Sequence, residues 1–367
     1  MSTPTVYDVA QRAGVSIATV SRVYRSPDSV RAGTRERVLS AARELGYVPS
    51  GSARGLASRM TGVLGLCFPD FHDDEAEDAP DADDAELMLY ADEVIRGMER
   101  AARRHGYALL IAASGGDAAR PDRPREPAPP DSTAPPVTQV VAEIAGRVDG
   151  LALLAQDVPE EDLDVVSRRL PVVLLAAPRD GRNDHVEVAN FDGQLALTRH
   201  LIVEHGLRRL AFVGGPSDSP DGEARLRGYQ AAHLATGLPL PAHPDIRADL
   251  TQAGGRAAVA ELLGRGADRP EALVFANDQM AVGGLHALAE LGLRVPEEMV
   301  VTGFDGIPLG RLVRPTLTTV RQPMGRLGEQ AVELLVARLA DRDRPPEARV
   351  LPTTLTRRAS CGCDPVS

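Results

Sequence analysis

The chain has 367 residues, which is more than one compact unit usually holds, so two or three domains are expected. Its 43% hydrophobic content is typical of a globular protein, and no apolar run approaches the ~20 residues that a bilayer span requires. The residues after Met1 show no basic-then-apolar leader, which predicts a cytoplasmic chain without a membrane partner.

Charge is distributed unevenly along the chain. The formal net charge is −11, yet residues 1–62 carry nine arginines against four acidic residues, a balance of +5 that leaves −16 for the rest. A basic end on an acidic body is typical of a small nucleic-acid-binding head attached to a larger domain.

The stretch from Thr5 to Val23 predicts two short helices joined by a turn. Apolar residues at i, i+3, i+4 and i+7 give the first helix one inner face, formed by Val6, Val9, Ala10 and Ala13. Gly14 ends this helix because glycine tolerates a left-handed backbone, and Ser16 can cap the next helix. The second helix is predicted over roughly residues 17–24. This pattern indicates a helix-turn-helix that can enter the major groove.

A third helix is expected to complete the head. Thr34 can cap this helix and Gly46 can close it, with an inner stripe formed by Val38, Ala41, Ala42 and Leu45. The segment Ser52–Met60 that follows is polar and has a single large apolar residue, Leu56. Composition alone favours a flexible linker there.

From Gly62 onward, apolar runs alternate with amphipathic segments. Buried strands are predicted at 62–68, 107–113, 150–155, 171–177, 210–214, 272–275 and 299–303. Helices are predicted at 93–105, 194–205, 224–235, 253–263 and 279–291. Such alternation predicts parallel sheets covered on both faces, here divided between two similar subdomains with a cleft between them. Because ligands bind beyond the carboxyl ends of such strands, the cleft is the second expected functional site.

Several residues stand outside this pattern. Residues 70–86 hold ten acidic residues and no basic one, and residues 116–137 hold seven prolines, so both stretches are expected to be disordered loops. Cys67 is expected in the core. Cys361 and Cys363 are too few for a structural zinc site and badly spaced for a mutual disulfide, so no metal and no cofactor are expected.

Six segments in chain order are distinctive together. They read TVYDVAQRAGVSIATVSRV, TRERVLSAARELGYVPS, ARGLA, RLRGYQAA, FANDQMAVGGLHALAELGLRVPEEMVVTGFD and PTLTTVRQPMGRLGEQAVELL. Over nearly the whole chain they resemble the lactose/galactose repressor (LacI/GalR) family of bacterial transcription regulators. The resemblance implies a small all-α helix-turn-helix head, a hinge helix, and a dimerising α/β effector domain of the periplasmic-binding-protein type (type I) with two parallel-sheet subdomains.

The resemblance also implies DNA contacts in the head and the hinge. The implied DNA-binding residues are Ser16, Ile17, Ala18, Thr19, Ser21, Arg22, Arg54 and Leu56. The Arg22 fork matches guanine O6 and N7, whereas the hydroxyl side chains would hold phosphates. Capping is the structural alternative for the Ser16 hydroxyl. The family implies that residues 50–61 form a hinge helix on the operator, with Leu56 wedged into the minor groove.

Effector contacts are implied in the cleft. The implied residues are Phe71, Arg225, Asn277, Asp305 and Gln322. An Arg, Asn, Asp and Gln set supplies donors and acceptors suited to a polyhydroxylated ligand. Asp305 could instead cap the turn after its strand, and Asp278 is expected to cap the helix beginning at residue 279. Leu250 and Met324 stand where relatives often carry an aromatic residue.

These interpretations define the expected domains. They are a head (1–49), a hinge (50–61), an effector-binding and dimerisation domain (62–358) and a tail (359–367). Within the effector domain, the first subdomain is expected to cover 62–190 and 296–323, and the second 191–295 and 324–358.

The leading functional interpretation is a homodimeric repressor that binds a palindromic operator and responds to a small metabolite, expected to be a carbohydrate. A solute-binding protein for transport and a sugar-handling enzyme are the alternatives. The helix-turn-helix opposes the first, and the sequence has no P-loop, G-x-S-x-G or H-E-x-x-H motif to support the second.

Overall fold

The computed structural model describes residues 4–25, 27–47, 60–70, 89–115, 137–154, 158–177, 180–266 and 269–364. The chain divides into two compact units, residues 1–62 and 63–367. Among the described helices, none combines the length and the apolar character that a membrane crossing demands.

Three helices form the head: α1 (Val6–Ala13), α2 (Ile17–Arg25) and α3 (Ala32–Leu45). Gly14 ends α1 with a left-handed backbone (φ 62°), and the Asp8 carboxylate accepts a hydrogen bond from the Thr5 N–H at 2.7 Å. The small core is formed by Val9, Ala10, Ala13, Val20, Val23, Val38, Ala41 and Ala42. The predicted helix-turn-helix and its apolar stripes are therefore confirmed.

The third helix begins earlier than predicted. Thr34 lies inside its first turn, and Arg31 occupies the N-cap position without a side-chain capping bond. The Arg31 carbonyl accepts hydrogen bonds from the N–H groups of Thr34 (2.9 Å) and Arg35 (3.0 Å). Because Thr34 lies inside the helix and an N-cap residue must precede it, the predicted Thr34 cap is wrong.

The second unit alternates strands and helices. Its helices are α4 (Leu89–Arg104), α5 (Val137–Ala145), α6 (Glu160–Arg169), α7 (Asn190–Arg199), α8 (Pro220–Thr236), α9 (Gln252–Gly264), α10 (Asp278–Glu290) and α11 (Met324–Ala340). Its strands are β1 (Val63–Asp70), β2 (Ala108–Gly115), β3 (Gly150–Leu153), β4 (Val172–Leu175), β5 (Asp184–Val188), β6 (Leu210–Gly214), β7 (Ile246–Arg247), β8 (Ala272–Phe275), β9 (Val300–Asp305), β10 (Thr318–Arg321), β11 (Ala348–Leu351) and β12 (Thr354–Thr356). A π-helical turn, His200–Glu204, continues α7.

The strands form two six-stranded sheets. The first has the order β11-β5-β4-β3-β1-β2 and the second β12-β10-β9-β8-β6-β7. The pairs are parallel except for β10 with β12, which is antiparallel. Strands β3, β4, β8 and β9 are buried along their whole length, as expected for strands covered by helices on both faces. The expected two-sheet α/β architecture is confirmed.

The expected division of residues 296–358 between the two subdomains is wrong. Strands β9 and β10, within 296–323, pair in the second sheet. Helix α11, which follows them, buries Leu327, Ala331 and Leu335 in the core of the first sheet, and β11 pairs with β5 there. The apolar face of α11 can be buried against either sheet, so its pattern alone did not reveal its position.

Within the described residues, the chain crosses between the two sheets three times. The crossings lie between β5 and α7, between β10 and α11, and between β11 and β12. The Thr353 hydroxyl of the third crossing donates to the Ala189 carbonyl of the first at 3.2 Å. Three neighbouring crossings form a hinge, because the two sheet subdomains can change their mutual angle only by altering the backbone there.

The close approach of α4 and α11 leads to a stability prediction. A Cβ atom added at Gly97 on α4 would overlap the backbone carbonyl of Gly325 on α11. We therefore expect Gly97→Ala to lower the free energy of unfolding by roughly 1–3 kcal/mol, the usual cost of overpacking. The matched control is Gly264→Ala, where an added Cβ meets nothing within 4 Å. Equal urea denaturation curves for the two variants would contradict this close packing.

Candidate functional site

The DNA-reading surface predicted for the head lies on α2. Ile17 is 40% exposed, and Ser16, Ala18 and Arg22 are also exposed. Thr19 and Ser21 are partly buried. Among the described residues, Arg22 has no hydrogen-bond or ion-pair partner, so its guanidinium can be used for DNA.

Ser16 has a structural role that agrees with its expected alternative. Its Oγ accepts a hydrogen bond from the Thr19 N–H at 3.2 Å and lies 2.9 Å from Thr19 Oγ1. Ser16 therefore caps α2. Three predicted site residues, Arg54, Leu56 and Phe71, lie outside the described residues and stay predictions. The acidic stretch from residue 71 and the Pro-rich stretch up to residue 136 also lie outside the described residues.

Three of the predicted effector residues meet in one buried cluster at the second sheet, here called the cleft cluster. Asp305 ends β9, Arg225 projects from α8 toward it, and Gln322 follows β10. Arg225 Nη2 lies 3.2 Å from Asp305 Oδ1, and Gln322 Nε2 donates to the same oxygen at 2.6 Å. Arg225 and Asp305 are each only 6% exposed. Such a buried pair is stable only when its remaining polar atoms are also satisfied.

The Arg225 guanidinium is held on several sides. Its Nε donates to Asn190 Oδ1 at 2.9 Å and its Nη1 donates to the Ala276 carbonyl at 2.6 Å. Its Cζ lies 3.9 Å from the centre of the Phe304 ring, a cation–π contact. Asn190 begins α7 at the first crossing and Gln322 lies at the second. The ion pair is therefore hydrogen-bonded directly to two of the three crossings that form the hinge.

The roles expected for Asn277 and Asp278 are partly reversed. Asn277 caps α10 through a bond from the Met280 N–H (3.0 Å), and its amide donates to the Leu250 carbonyl (2.8 Å). Asp278 is fully buried, and its Oδ2 accepts from the N–H groups of Gly306 (2.8 Å) and Ile307 (2.9 Å). The predicted α10 cap at Asp278 is wrong, because Asp278 instead fixes the turn after β9.

The same contacts exclude the alternative in which Asp305 caps the turn after its strand. Its side chain bonds to Arg225 and Gln322, whereas the turn amides bond to Asp278. Asp305 therefore does not cap the turn that follows its strand.

Two further residues lie near the cluster, and the sequence pattern did not predict them as site residues. Asp221, on the first turn of α8, has its Oδ2 3.9 Å from Arg225 Nη2. Tyr90 on α4 is partly buried, and burial raises its pKa, with a further rise from the carboxylates of Asp221 and Asp305. Tyr90 packs against the core of the first sheet, and the charges of Asp221 and Asp305 are close enough to influence its hydroxyl. An isolated Tyr in the amphipathic pattern of α4 gives no sequence signal for this placement.

Burial dominates the electrostatics of the cluster. It raises the pKa of Asp305 to about 6, while Arg225 and the Gln322 hydrogen bond oppose the shift. Burial also raises the pKa of Asp221, again opposed by Arg225. For Asp278, burial and the neighbouring Asp305 carboxylate raise the pKa, and the hydrogen bonds it accepts oppose this.

Backbone strain also concentrates at the carboxyl ends of the strands. The described non-glycine residues with left-handed φ are Ala176 (50°), Leu250 (73°) and Asp305 (114°). Ala176 directly follows β4, Asp305 ends β9, and Leu250 lies three residues after β7. Strain of this kind, when it is observed, favours a functional site, because the surrounding structure must hold it in place.

Leu250 and Met324, which stand where relatives often carry an aromatic residue, have packing roles. Leu250 packs against the core of the second sheet, and its carbonyl bonds to Asn277. Met324 is buried in the core of the first sheet.

Cys361 and Cys363 do not stand alone in this fold, so two ligands being too few no longer excludes a metal site there. The structure places His200 and His205 beside both cysteines, so four ligands rather than two are available. The histidines are more than 150 residues away in the sequence, and no spacing rule connects them to the tail.

Comparisons with known proteins agree with both units. Residues 5–50 match the bacterial regulatory proteins of the lacI family, and residues 198–361 match a periplasmic binding protein-like domain. The ribose operon repressor of Escherichia coli (strain K12) is 32% identical over 359 residues, covering 97% of this chain and 99% of that protein.

Two solved structures share nearly the whole fold. The lac repressor dimer bound to operator and the anti-inducer ONPF has a TM-score of 0.79 and 25% identity, covering 98% of this chain and 99% of that chain. The transcriptional regulator CelR-cellobiose complex has a TM-score of 0.67 and 29% identity, covering 97% and 99%.

A helix-turn-helix head followed by a two-sheet binding domain with a polar buried cleft cluster defines a ligand-responsive DNA-binding regulator. The chain belongs to the lacI family of bacterial regulatory proteins. The interpretation as a transcriptional repressor is confirmed over that of a transport protein, and the relatives named here are transcription regulators rather than enzymes.

The raised pKa of Asp305 predicts a pH dependence of stability. Its folded pKa of about 6 exceeds the usual 3.8, so the folded protein binds this proton more tightly than the unfolded chain. The stabilisation is complete below about pH 4 and is lost as pH rises through about 6, a loss on the order of 3 kcal/mol.

We therefore expect Asp305→Asn to reduce the fall in unfolding free energy between pH 4 and pH 7. The control is Asp341→Asn, at an exposed position, which should keep the wild-type pH dependence of the unfolding free energy. Chemical denaturation at each pH measures the effect, and parallel curves for wild type and Asp305→Asn would contradict it.

Proposed function

We propose that α2 reads operator half-sites in a dimer and that the cleft cluster binds an uncharged carbohydrate that changes operator affinity. The observation that carries the effector proposal is the Gln322 amide, which is 2% exposed and whose Oε1 has no hydrogen-bond partner among the described residues. A buried amide oxygen without a partner is costly, and a ligand hydroxyl would satisfy it.

The rest of the cluster supports a polyhydroxylated ligand. Gln322 Oε1 accepts hydrogen bonds, Arg225 offers planar donors, and Asp305 and Asn190 offer further oxygens. Tyr90 adds a ring face from the opposite subdomain. A few placed polar groups with an apolar face match the composition of small-molecule sites.

Charge favours an uncharged ligand over an anionic one. The carboxylates of Asp221 and Asp305 both lie near the single guanidinium of Arg225. An anionic ligand would add negative charge to a buried site that already has an excess of carboxylates. Ribose and cellobiose occur in the names of two relatives, and both are uncharged sugars.

The proposed response uses the hinge. A sugar held between Tyr90 and the Arg225–Asp305 pair would favour one angle between the two sheet subdomains. Asn190 and Gln322 bond to that pair and lie on two of the crossings, so the angle and the cluster are linked. Operator affinity then changes by the difference in sugar affinity between the two states.

We also propose that the cleft binds its ligand without transforming it. The Asp305 carboxylate already bonds to Arg225 and Gln322, and the more deeply buried Asp278 bonds to the turn after β9. Carboxylates engaged in this way support binding and positioning rather than general base chemistry.

A ligand screen tests the charge argument. Thermal unfolding is measured with a panel of aldoses and disaccharides, each compared with its phosphorylated form, for example ribose with ribose 5-phosphate. We expect an uncharged sugar to raise the midpoint and its phosphate to have no effect. Stabilisation by the phosphate alone would contradict an uncharged effector.

The sugar found in this way then tests the role of Gln322. Gln322→Met keeps the side-chain volume but removes both polar atoms. We expect sugar binding to weaken roughly 3- to 10-fold, the value of one lost hydrogen bond, with operator affinity unchanged in the absence of sugar. Gln330→Met on α11 is the matched control. Unchanged sugar affinity in Gln322→Met would remove Gln322 from the site.

The role of Arg22 is tested with an operator selected from random duplexes by the wild-type protein. We expect Arg22→Ala to lose roughly 1–3 kcal/mol of discrimination between this operator and unrelated DNA while keeping weak, salt-sensitive binding. Arg37→Ala, an exposed arginine on α3, removes the same charge and should keep the discrimination. Equal loss of specific and unspecific binding in Arg22→Ala would contradict base reading.

A further inference from the structure

Four potential metal ligands meet beyond the C-terminal end of α7, whereas Asn190, which bonds to the cleft cluster, lies at its N-terminal end. They are His200, His205, Cys361 and Cys363, here called the Cys2His2 cluster. One ligand atom from each residue lies within 4.8 Å of all the others. His200 and Cys361 are buried, and His205 and Cys363 are partly buried.

The distances between ligand atoms are those of a coordination shell. His200 Nε2 lies 3.1 Å from His205 Nε2, and Cys363 Sγ lies 3.6 Å from His200 Nε2 and 3.4 Å from His205 Nε2. Cys361 Sγ lies 3.6 Å from His200 Nε2. A zinc tetrahedron with two nitrogen and two sulfur ligands has edges of about 3.3 to 3.8 Å, close to these values.

Local backbone geometry brings the ligands together. The π-helical turn His200–Glu204 has a wider repeat than an α-helix, which aligns side chains five residues apart and so places His205 beside His200. In the tail, Gly362 has a left-handed backbone (φ 87°) that turns the chain between the two cysteines. A residue with a Cβ is strained there, which explains the glycine of the C-G-C sequence.

The surroundings match the outer shell of a metal site. His200 Nδ1 lies 3.0 Å from Glu204 Oε2, although the angle is not that of a hydrogen bond, and Glu204 in turn pairs with Arg357 at 3.3 Å. A carboxylate next to the second ring nitrogen orients a metal-bound histidine. The Thr318 hydroxyl donates to Cys361 Sγ at 3.1 Å, as is favourable for a thiolate.

We propose that the Cys2His2 cluster binds one Zn²⁺ with four protein ligands and so fastens the C-terminal tail to the end of α7. Two thiolates and two imidazoles favour zinc over hard cations such as Mg²⁺ or Ca²⁺. Four protein ligands leave no open position, which defines a structural rather than a catalytic site. The proposal is independent of the effector, because it uses none of the cleft residues.

Metal content of the full chain tests the proposal. The protein is purified with a histidine-free tag, incubated with zinc, desalted and analysed by mass spectrometry for metals. We expect about one tightly held zinc per chain, and little in Cys363→Ser or His205→Gln. These two variants replace the less buried ligands, so folding can be checked by circular dichroism. Cys67→Ala and His286→Gln are the matched controls and should keep the zinc.

Cobalt substitution tests the geometry independently. Tetrahedral Co²⁺ with sulfur ligands gives strong visible bands and a sulfur-to-metal charge-transfer band, which we expect in the wild type and weakened in Cys363→Ser. Removal of the metal by a chelator should also lower the thermal midpoint of the wild type but not of Cys363→Ser. A folded protein without zinc after reconstitution, equal zinc in all variants, or a Cys361–Cys363 disulfide in the isolated chain would each overturn the proposal.

Discussion

The buried ion pair between Arg225 and Asp305 constrains the whole binding domain. Both side chains are almost fully removed from solvent, and removing one partner of such a pair typically costs 3–5 kcal/mol. The hydrogen bonds that the guanidinium and the carboxylate make with their neighbours must therefore be kept or replaced in every state of the protein. Those neighbours include Asn190 and Gln322, which lie on two of the three crossings between the sheets. Any movement of the subdomains has to keep or replace these bonds.

This constraint connects ligand binding with shape. Gln322 donates its amide nitrogen to Asp305 and leaves its buried oxygen without a partner among the described residues, so the hydroxyl of the proposed ligand would complete the network rather than break it. Asp278 holds the turn after β9 and thereby fixes the backbone at Asp305, where φ is 114°. The second subdomain thus holds a rigid, buried polar cluster.

Much of this architecture was predictable because buried parallel strands are continuously apolar, and seven strands were located in that way. Strands β5 (DHVEV) and β10 (TTVR) carry polar residues that bond within the structure, so they lack the apolar signal. The crossings have no pattern of their own, which is why α11 was assigned to the wrong sheet. Neighbouring polar residues such as Asn277 and Asp278 exchange roles without a change in composition. The Cys2His2 cluster depends on tertiary contacts alone.

The central claim is that the cleft cluster and the operator-binding head are thermodynamically coupled. The most direct measurement is titration calorimetry of the sugar with the free protein and with the protein saturated with operator DNA. We expect operator to change the dissociation constant of the sugar by the same factor, about 5- to 150-fold, by which the sugar changes that of the operator. An identical dissociation constant for the sugar in both titrations would contradict it.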